Sequence, residues 1–377
     1  MSLTVSLSDV LAARHSKLRQ ALQASGVDAM AINAGPTLGY LTGLSFHLSE
    51  RPVIALFPAE GRPSMVVPEL ESLKFQEAAF DLHLYTYGEA PDTWQPAFSA
   101  AIGPHEAALI GVEPRWLRYL ELQFLKGAVP RATLTSAESV VASLRMHKDE
   151  LELDAMRKAT IIAQDALKAT LPKVVAGTTE REAAAELIQN LLRFGSGGEL
   201  PFQPIVAFGP NSANPHAVPT DRPLQEGDLA LFDWGANYQG YFSDLTRTFT
   251  FGDVDPELLK IAGLVEAANA AAREVCTPGI KASDIDGAAR AVITEAGYGE
   301  FFMHRTGHGL GLEVHEEPYI RDDNAQVMAT GMTFTIEPGI YLAGRGGVRI
   351  EDDMVITETG VQSLSDMPRS VIPLPRD

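Results

Sequence analysis

The chain has 377 residues, of which 45% are hydrophobic and 21% charged, with a formal net charge of -19. Such apolar content excludes a disordered chain, and the length allows two or three domains. The acidic balance, with no Lys/Arg tract, argues against nonspecific nucleic-acid binding, and the single Cys276 excludes an intrachain disulfide or a Cys-rich zinc or iron site.

No stretch of eighteen apolar residues and no basic leader with an apolar core is visible, so neither a membrane span nor secretion is expected and the protein is read as cytoplasmic. The first helix is expected over Ser8–Ala24, with Leu11, Leu18 and Leu22 on one face and Gly26 ending it. VDAMAIN, VIALFP and PSMVVP read as strands, and helices are expected near Glu71–Phe80 and Trp116–Lys126. These elements make a smaller α/β domain over residues 1–140, followed by a linker over 141–147.

From residue 148 to 377 a larger domain is expected. It opens with the helix KDELELDAMRKATIIAQDALKATL, whose Leu153, Met156, Ala159, Ile162 and Ala163 form a buried stripe with no catalytic role. A second helix follows GTTE, with Thr178 or Thr179 at its cap. AGTTEREAAAEL from Ala176 then finds a partner in PGIKASDIDGAA from Pro278, and GDLALFDWG (227–235) one in GMTFTIEPG (331–339). The two segments of each pair share glycines and pattern, and Asp233 corresponds to Glu337. An approximate duplication follows, each half presenting a helix and then a strand that ends in an acid.

The acids carry the candidate chemistry. ALFDWGANYQGYFSDLTRTF reads as two antiparallel strands joined through Gly-Ala-Asn-Tyr-Gln-Gly, which sets Asp233 and Asp244 on one face if they lie opposite one another. Like charges so close are costly unless a cation sits between them. FTIEPGIY and GGVRIEDDMVI repeat the problem with Glu337 and Glu351. There Arg349 either neutralises Glu351 as a salt bridge or orients it from behind while a metal takes the acid. His308, in TGHGLGLEVHE, adds a neutral nitrogen, and Gly307, Gly309 and Gly311 permit close strand approach around it. Four carboxylates and one imidazole suit Mn, Co or Zn, and two such ions activate water and polarise a carbonyl or phosphoryl group. The segment is neither HExxH nor a phosphate cradle.

FDWG, SDLTRTF, TGHGLGLEVHE, IEPGIY and VRIEDD, in that order, make the chain resemble the pita-bread metallopeptidases, specifically Xaa-Pro dipeptidases (prolidases) and short Xaa-Pro aminopeptidases. The resemblance spans essentially the whole chain. It implies an α/β (α+β) pita-bread catalytic domain with a pseudo-twofold duplication behind a smaller N-terminal α/β domain. It also implies two divalent metal ions per subunit, Mn first and Co or Zn as alternatives, held by Asp233, Asp244, His308, Glu337 and Glu351. His315 would stabilise the carbonyl or tetrahedral oxygen, and His216 would shape the substrate or leaving-group side. His304 would meet substrate or assist proton transfer, Glu337 would also handle a proton, and Arg349 and Tyr341 would support the pocket. The expected activity is hydrolysis of the Xaa-Pro bond, preferably in dipeptides, with Arg321 a candidate for the substrate carboxylate. Small proline-containing peptides are the expected partners, with no nucleic acid or membrane, and a homodimer is expected. The alternatives are an Xaa-Pro aminopeptidase, a methionine aminopeptidase, a creatinase-type amidinohydrolase and a noncatalytic binding protein.

Overall fold

Ser6 accepts a hydrogen bond from the Asp9 amide and so starts helix α1 (Leu7–Ser25), which Gly26 closes in the left-handed conformation. The computed structural model describes residues 6–76, 78–105 and 108–375. Leu11, Leu18 and Leu22 are buried, as their spacing requires. After α1 come β1 (Ala29–Asn33), α2 (Pro36–Thr42), β2 (Ile54–Pro58), β3 (Ser64–Pro68) and β4 (His83–Tyr87). Then follow α3 (Trp94–Ile102), β5 (Leu109–Val112), α4 (Tyr119–Ala128), β6 (Thr133–Ser136) and α5 (Glu138–Arg145). The strands form one six-stranded mixed sheet in the order β4-β3-β2-β1-β5-β6. Residues 29–33 and 54–58 are buried throughout, which is why these strands read as continuous apolar runs rather than alternating ones.

One local expectation changes. The helix expected near Glu71–Phe80 is a 3-10 turn over Glu69–Phe75 with no buried residue, because Leu70 and Leu73 point to solvent; Glu77 lies outside the described residues. The segment 141–147 contains the end of α5, whose Val140 and Leu144 are buried, and the boundary between the compact units. The chain accordingly divides into compact units of residues 1–145 and 146–377.

The second unit contains α6 (Glu150–Thr170), α7 (Glu180–Arg193), β7 (Ile205–Phe208), β8 (Asp228–Trp234), β9 (Asn237–Tyr238), β10 (Tyr241–Phe242) and β11 (Leu245–Phe251). Next come α8 (Pro256–Val275), α9 (Ala282–Glu295), β12 (Gly307–Gly309), β13 (Glu316–Ile320), β14 (Thr333–Ile336) and β15 (Gly339–Leu342). The last elements are β16 (Gly346–Arg349), β17 (Asp352–Ile356), β18 (Val361–Ser363) and β19 (Ile372–Pro373). Capping boxes at Asp149/Glu152 and Thr179/Glu182 start α6 and α7. The stripe from Leu153 to Ala163 is buried. Farther along α6, Ala163 and Leu167 pack with Leu187 and Leu191 of α7 against Phe208, Phe232 and Trp234 of the sheet.

The duplication has a backbone counterpart. Before α7 the Gly177 amide bonds the Leu224 carbonyl (3.0 Å), and before α9 the Gly279 amide bonds that of Met328 (2.8 Å). Both glycines hold positive φ, 87° and 95°, where a Cβ would be strained. The first half builds the strands β11-β8-β7 of one sheet, whose edge strand β19 comes from the chain's last residues, and the second half builds the sheet β13-β12-β14-β17-β18. The halves meet at a seam where the Glu351 amide donates to the Thr246 carbonyl (3.1 Å). Buried Arg247 crosses the same seam to the Asp352 carboxylate (2.7 Å) and the Glu351 carbonyl (2.6 Å). Among the described residues no helix is long and apolar enough to cross a membrane.

Candidate metal centre

The strands β8 and β11 are antiparallel, but Asp233 lies opposite Thr246, not Asp244. The connection between them is no single turn: it folds into the hairpin β9–β10 around Gln239 and Gly240, both at positive φ. Asp244 therefore sits just before β11 and reaches the face of Asp233 through the alternation that it shares with Thr246. Its amide donates to the buried Asp353 carboxylate (3.1 and 3.2 Å), which also accepts from the Thr160 hydroxyl (3.2 Å). That support is in the VRIEDD motif, yet nothing local marks its second Asp as an acceptor for a residue so distant in sequence.

His308 occupies β12 with little room around its backbone. Gly307 and Gly309 lie where an added Cβ would meet the carbonyls of Thr335 and Glu317, so these glycines are needed for close approach. The His308 amide donates to Thr335 Oγ1 (3.1 Å), and its ring Nδ1 lies 3.1 Å from the Gly309 carbonyl. A carbonyl only accepts, so Nδ1 carries the proton and Nε2 keeps its lone pair. Nε2 is 3.4 Å from Glu337 Oε1 and 3.6 Å from Asp244 Oδ2. Burial holds the imidazole well below its ordinary pKa, with His315 adding to the effect. A neutral lone pair facing two carboxylates is stable when a cation lies between them.

The acids give the same signal. Burial raises Asp233 and holds Asp244 and Glu351 well above the usual carboxylate range; Glu351 and Asp233 push Asp244 further, and Glu337 does the same to Glu351. Glu337 is pushed up to about 7, chiefly by burial and against the pull of Arg349. Asp233 Oδ1 and Asp244 Oδ1 are buried with no hydrogen-bond donor, a costly condition that a bound cation removes. Donor atoms of Asp244, His308 and Glu351 all lie within 4.8 Å of one another. Oxygen-rich donors with one imidazole fit a hard or borderline divalent ion.

Arg349 acts on Glu351 from behind, through Thr246. Its charge favours ionised Glu351, but its direct partners lie elsewhere: its Nη2 pairs with Asp233, its Nε donates to Thr246 Oγ1 (3.1 Å), and its Nη1 donates to the Tyr341 hydroxyl (2.7 Å). Thr246 Oγ1 in turn donates to Glu351 Oε2 (2.7 Å). The guanidinium fork thus reaches one acid directly and the other through a hydroxyl. Sequence alternation set Arg349 and Glu351 on a shared face but could not show that Asp233, from the other half, lies nearer.

Asp233, Asp244, His308, Glu337 and Glu351 line one pocket of about 610 Å³ together with His216, His304, His315 and Arg349. His315 meets His308 edge to face at 4.1 Å between ring centres. His304 Nδ1 lies 2.7 Å from the Arg305 carbonyl, so it is the protonated nitrogen, and Nε2 accepts from Tyr341 (2.9 Å). Burial lowers the His304 pKa to about 4. With both ring nitrogens engaged, His304 presents an edge or face to the pocket rather than a free base.

His216 is exposed on a loop whose ends are tied by Glu180. This fully buried carboxylate accepts from the Phe208 amide (2.8 Å), the Thr220 amide (2.8 Å) and hydroxyl (2.6 Å), and Asn211 Nδ2 (2.9 Å). An acid in a helix's first turn gives no local sign that it is buried. Arg321 stands outside the pocket lining: its side chain is exposed and paired with Asp323 (2.8 Å). Arg305, by contrast, lines the pocket.

Residues 14–147 match the creatinase/prolidase N-terminal domain, and residues 154–358 match metallopeptidase family M24. The chain is 34% identical to an Xaa-Pro dipeptidase of Lactobacillus helveticus, covering 95% of this chain and 98% of that one. Among solved structures, a prolidase from Thermococcus sibiricus superposes with a TM-score of 0.91 at 33% identity over 98% of this chain and all of that one. Dipeptidase PepE from Mycobacterium ulcerans does so with a TM-score of 0.90 at 35% identity, over 98% and 100%. Pita-bread architecture, a convergent acid–imidazole cluster and similarity along the whole chain lead to one conclusion: the protein is a peptidase of metallopeptidase family M24.

Proposed function

We propose that the protein hydrolyses the Xaa-Pro bond of dipeptides, with Asp233, Asp244, His308, Glu337 and Glu351 holding two divalent ions. The observation that carries this is the lone pair of His308 Nε2 directed at Glu337 and Asp244 beside carboxylate oxygens that lack donors. Mn is the proposed ion, with Co or Zn as alternatives; when bound, such ions polarise a carbonyl and lower the pKa of water.

The chain's own groups supply the rest. Glu337, in the pocket lining, takes a proton from the water that adds to the carbonyl carbon and returns it to the prolyl nitrogen as the C–N bond breaks. His315, beside His308, donates to the oxygen that gains charge as the carbonyl becomes tetrahedral. His216 bounds the leaving-group side, and His304 acts with Tyr341 and Arg349 to fix the pocket wall. Phe202, Ile205, Pro215 and Val218 line the same pocket and offer an apolar surface to the pyrrolidine ring. Proline needs such a shaped site because its nitrogen has no N-H to donate.

The proposal includes a homodimer acting on small peptides in the cytoplasm; light scattering tests the assembly. The reaction is tested by reconstituting chelated protein with Mn, Co or Zn and assaying Ala-Pro, Ala-Pro-Ala and Met-Ala-Ala. Hydrolysis of Ala-Pro above the other two is expected. Preference for Ala-Pro-Ala would make it an aminopeptidase, and no cleavage by folded, metal-loaded protein would reject the proposal.

A further inference from the structure

Lys148 and Glu316 form an ion pair (2.6 Å) inside the second unit, with side chains only 1% and 7% exposed. Such a pair seldom adds stability over an apolar pair of the same volume, because desolvating two charges costs about as much as their attraction returns. What it does supply is a fixed distance between two particular points of the backbone. One of those points adjoins the pocket: Glu316 follows His315, which meets His308 and lines the cavity.

Both partners are set by their surroundings. The Lys148 amide donates to the Gly331 carbonyl (2.9 Å) just before β14, and the next residue, Asp149, caps α6 by accepting from the Glu152 amide (3.0 Å). Glu316 opens β13, and alternation along a strand turns its side chain toward Lys148 and that of His315 the other way. The β12–β13 ladder is irregular here, pairing Gly307 with Ile320 but Gly309 with Glu316, so backbone pairing alone specifies the register weakly. Gly311 closes on the ion pair: a Cβ there would meet Lys148 Cε at 2.8 Å and Glu316 Oε1 at 2.9 Å. Glu316 Oε2 also accepts from the Glu313 amide (3.4 Å), and the Gly311 carbonyl accepts from the Phe242 amide (2.8 Å). The segment that leads from His308 to His315 is thereby drawn onto Lys148.

We propose that the Lys148–Glu316 ion pair positions His315: it pins the irregular end of β13 so that the imidazole stands where the tetrahedral oxygen develops. The assignment rests on the hydrolysis reading above, in which His315 donates to that oxygen. His315 is exposed at the pocket wall, so the place of its ring follows from where the backbone of residues 315 and 316 is held. A group misplaced by about 1 Å can cost on the order of 100-fold in rate. Lys148 and Glu316 stand outside the pocket lining, so both act through His315 and neither on the substrate.

The test is a cycle of enzymes of verified fold and metal content: wild type, Lys148→Met/Glu316→Met, His315→Ala, and the three changes together. The methionine pair fills the volume without leaving a buried charge unpaired. With His315 present it should lower kcat on Ala-Pro by about 10- to 100-fold with little change in KM. In the His315→Ala background the same pair should change kcat by no more than about 2-fold, because nothing remains to be positioned. Titration calorimetry gives a readout without turnover: a phosphinate analogue of Ala-Pro should lose affinity in the same coupled way, whereas L-proline should bind every member of the cycle alike. An unchanged kcat, or equal losses in both backgrounds, overturns the assignment while leaving the reaction standing. If the methionine pair does not fold, Glu316→Gln, which keeps the volume and an acceptor for Lys148, enters the same cycle and the same two results decide. Failure of wild type to cleave Ala-Pro removes the reaction and this assignment together.

Discussion

The two halves of the second unit share a plan and differ in what they place on it. Each has a helix pair, α6–α7 or α8–α9, a glycine at positive φ before the second helix, and an antiparallel strand pair leading to acids. The first half contributes only carboxylates, Asp233 and Asp244, whereas the second contributes Glu337, Glu351 and the imidazole of His308. Support also crosses the seam. Arg349 of the second half holds Asp233, Thr246 of the first holds Glu351, and Asp353 of the second holds the Asp244 amide. Duplication thus explains the positions, but neither half alone is a site. A buried acid tied to each half's second helix also fastens a pocket segment: Glu180 the His216 loop, and Asp286 the residues after Arg305.

The strongest way to break the comparison is to remove the second half's distinctive ligand. His308→Ala should lose more than about 100-fold in metal affinity, beyond the range for residues that merely support a ligand, and activity with it. His315→Ala should keep its metal and lose about 100- to 1,000-fold in kcat, as expected for one oxyanion donor. Metal analysis beside kinetics separates the two; equal metal loss in folded variants would refute the division of roles.

A smaller effect tests the fasteners. Glu180→Gln keeps the volume but turns an amide group toward donors, including the Phe208 and Thr220 amides. It should cost about 1–3 kcal/mol in chemical denaturation. It should also lower kcat with metal content unchanged, because His216 sits on the loosened loop. Retained kcat at lower stability would reduce Glu180 to a packing role.

The smallest effects concern the helix starts. Thr179 caps α7 with its side chain, whereas Lys281 at the matching start of α9 provides no side-chain cap. Thr179→Ala should cost ~1 kcal/mol, and Lys281→Thr should gain up to about 1 kcal/mol by giving the Asp284 amide a side-chain acceptor. Thermal melts of the two variants would show whether the halves are interchangeable at this level.

Local pattern made much of this legible. The faces of α1 and α6, the Thr179 cap and the echo between the halves all follow from rules spanning one or two turns or a repeated segment. The errors fall where such rules end. The strand pair leaves open what faces Asp233, and the β9–β10 hairpin consumes residues and shifts the ladder so that it is Thr246 rather than Asp244. The helix expected near Glu71–Phe80 is only a 3-10 turn, because Leu70 and Leu73 find no core to enter. Arg321 is as charged as Arg305 in the sequence, and only burial and partners distinguish them.

The sequence by itself determined which residue types were available, the alternation that turns acids inward, and the repeat that brings them in pairs. Tertiary structure decided their partners: Arg349 with Asp233, Asp353 beneath Asp244, Glu180 across the His216 loop, and Arg305 over the Tyr319 ring in the pocket. The physical reason is range. Periodicity is set by the geometry of neighbouring residues, whereas the cost of a buried charge is set by whatever lies within a few ångströms, however far away in the chain.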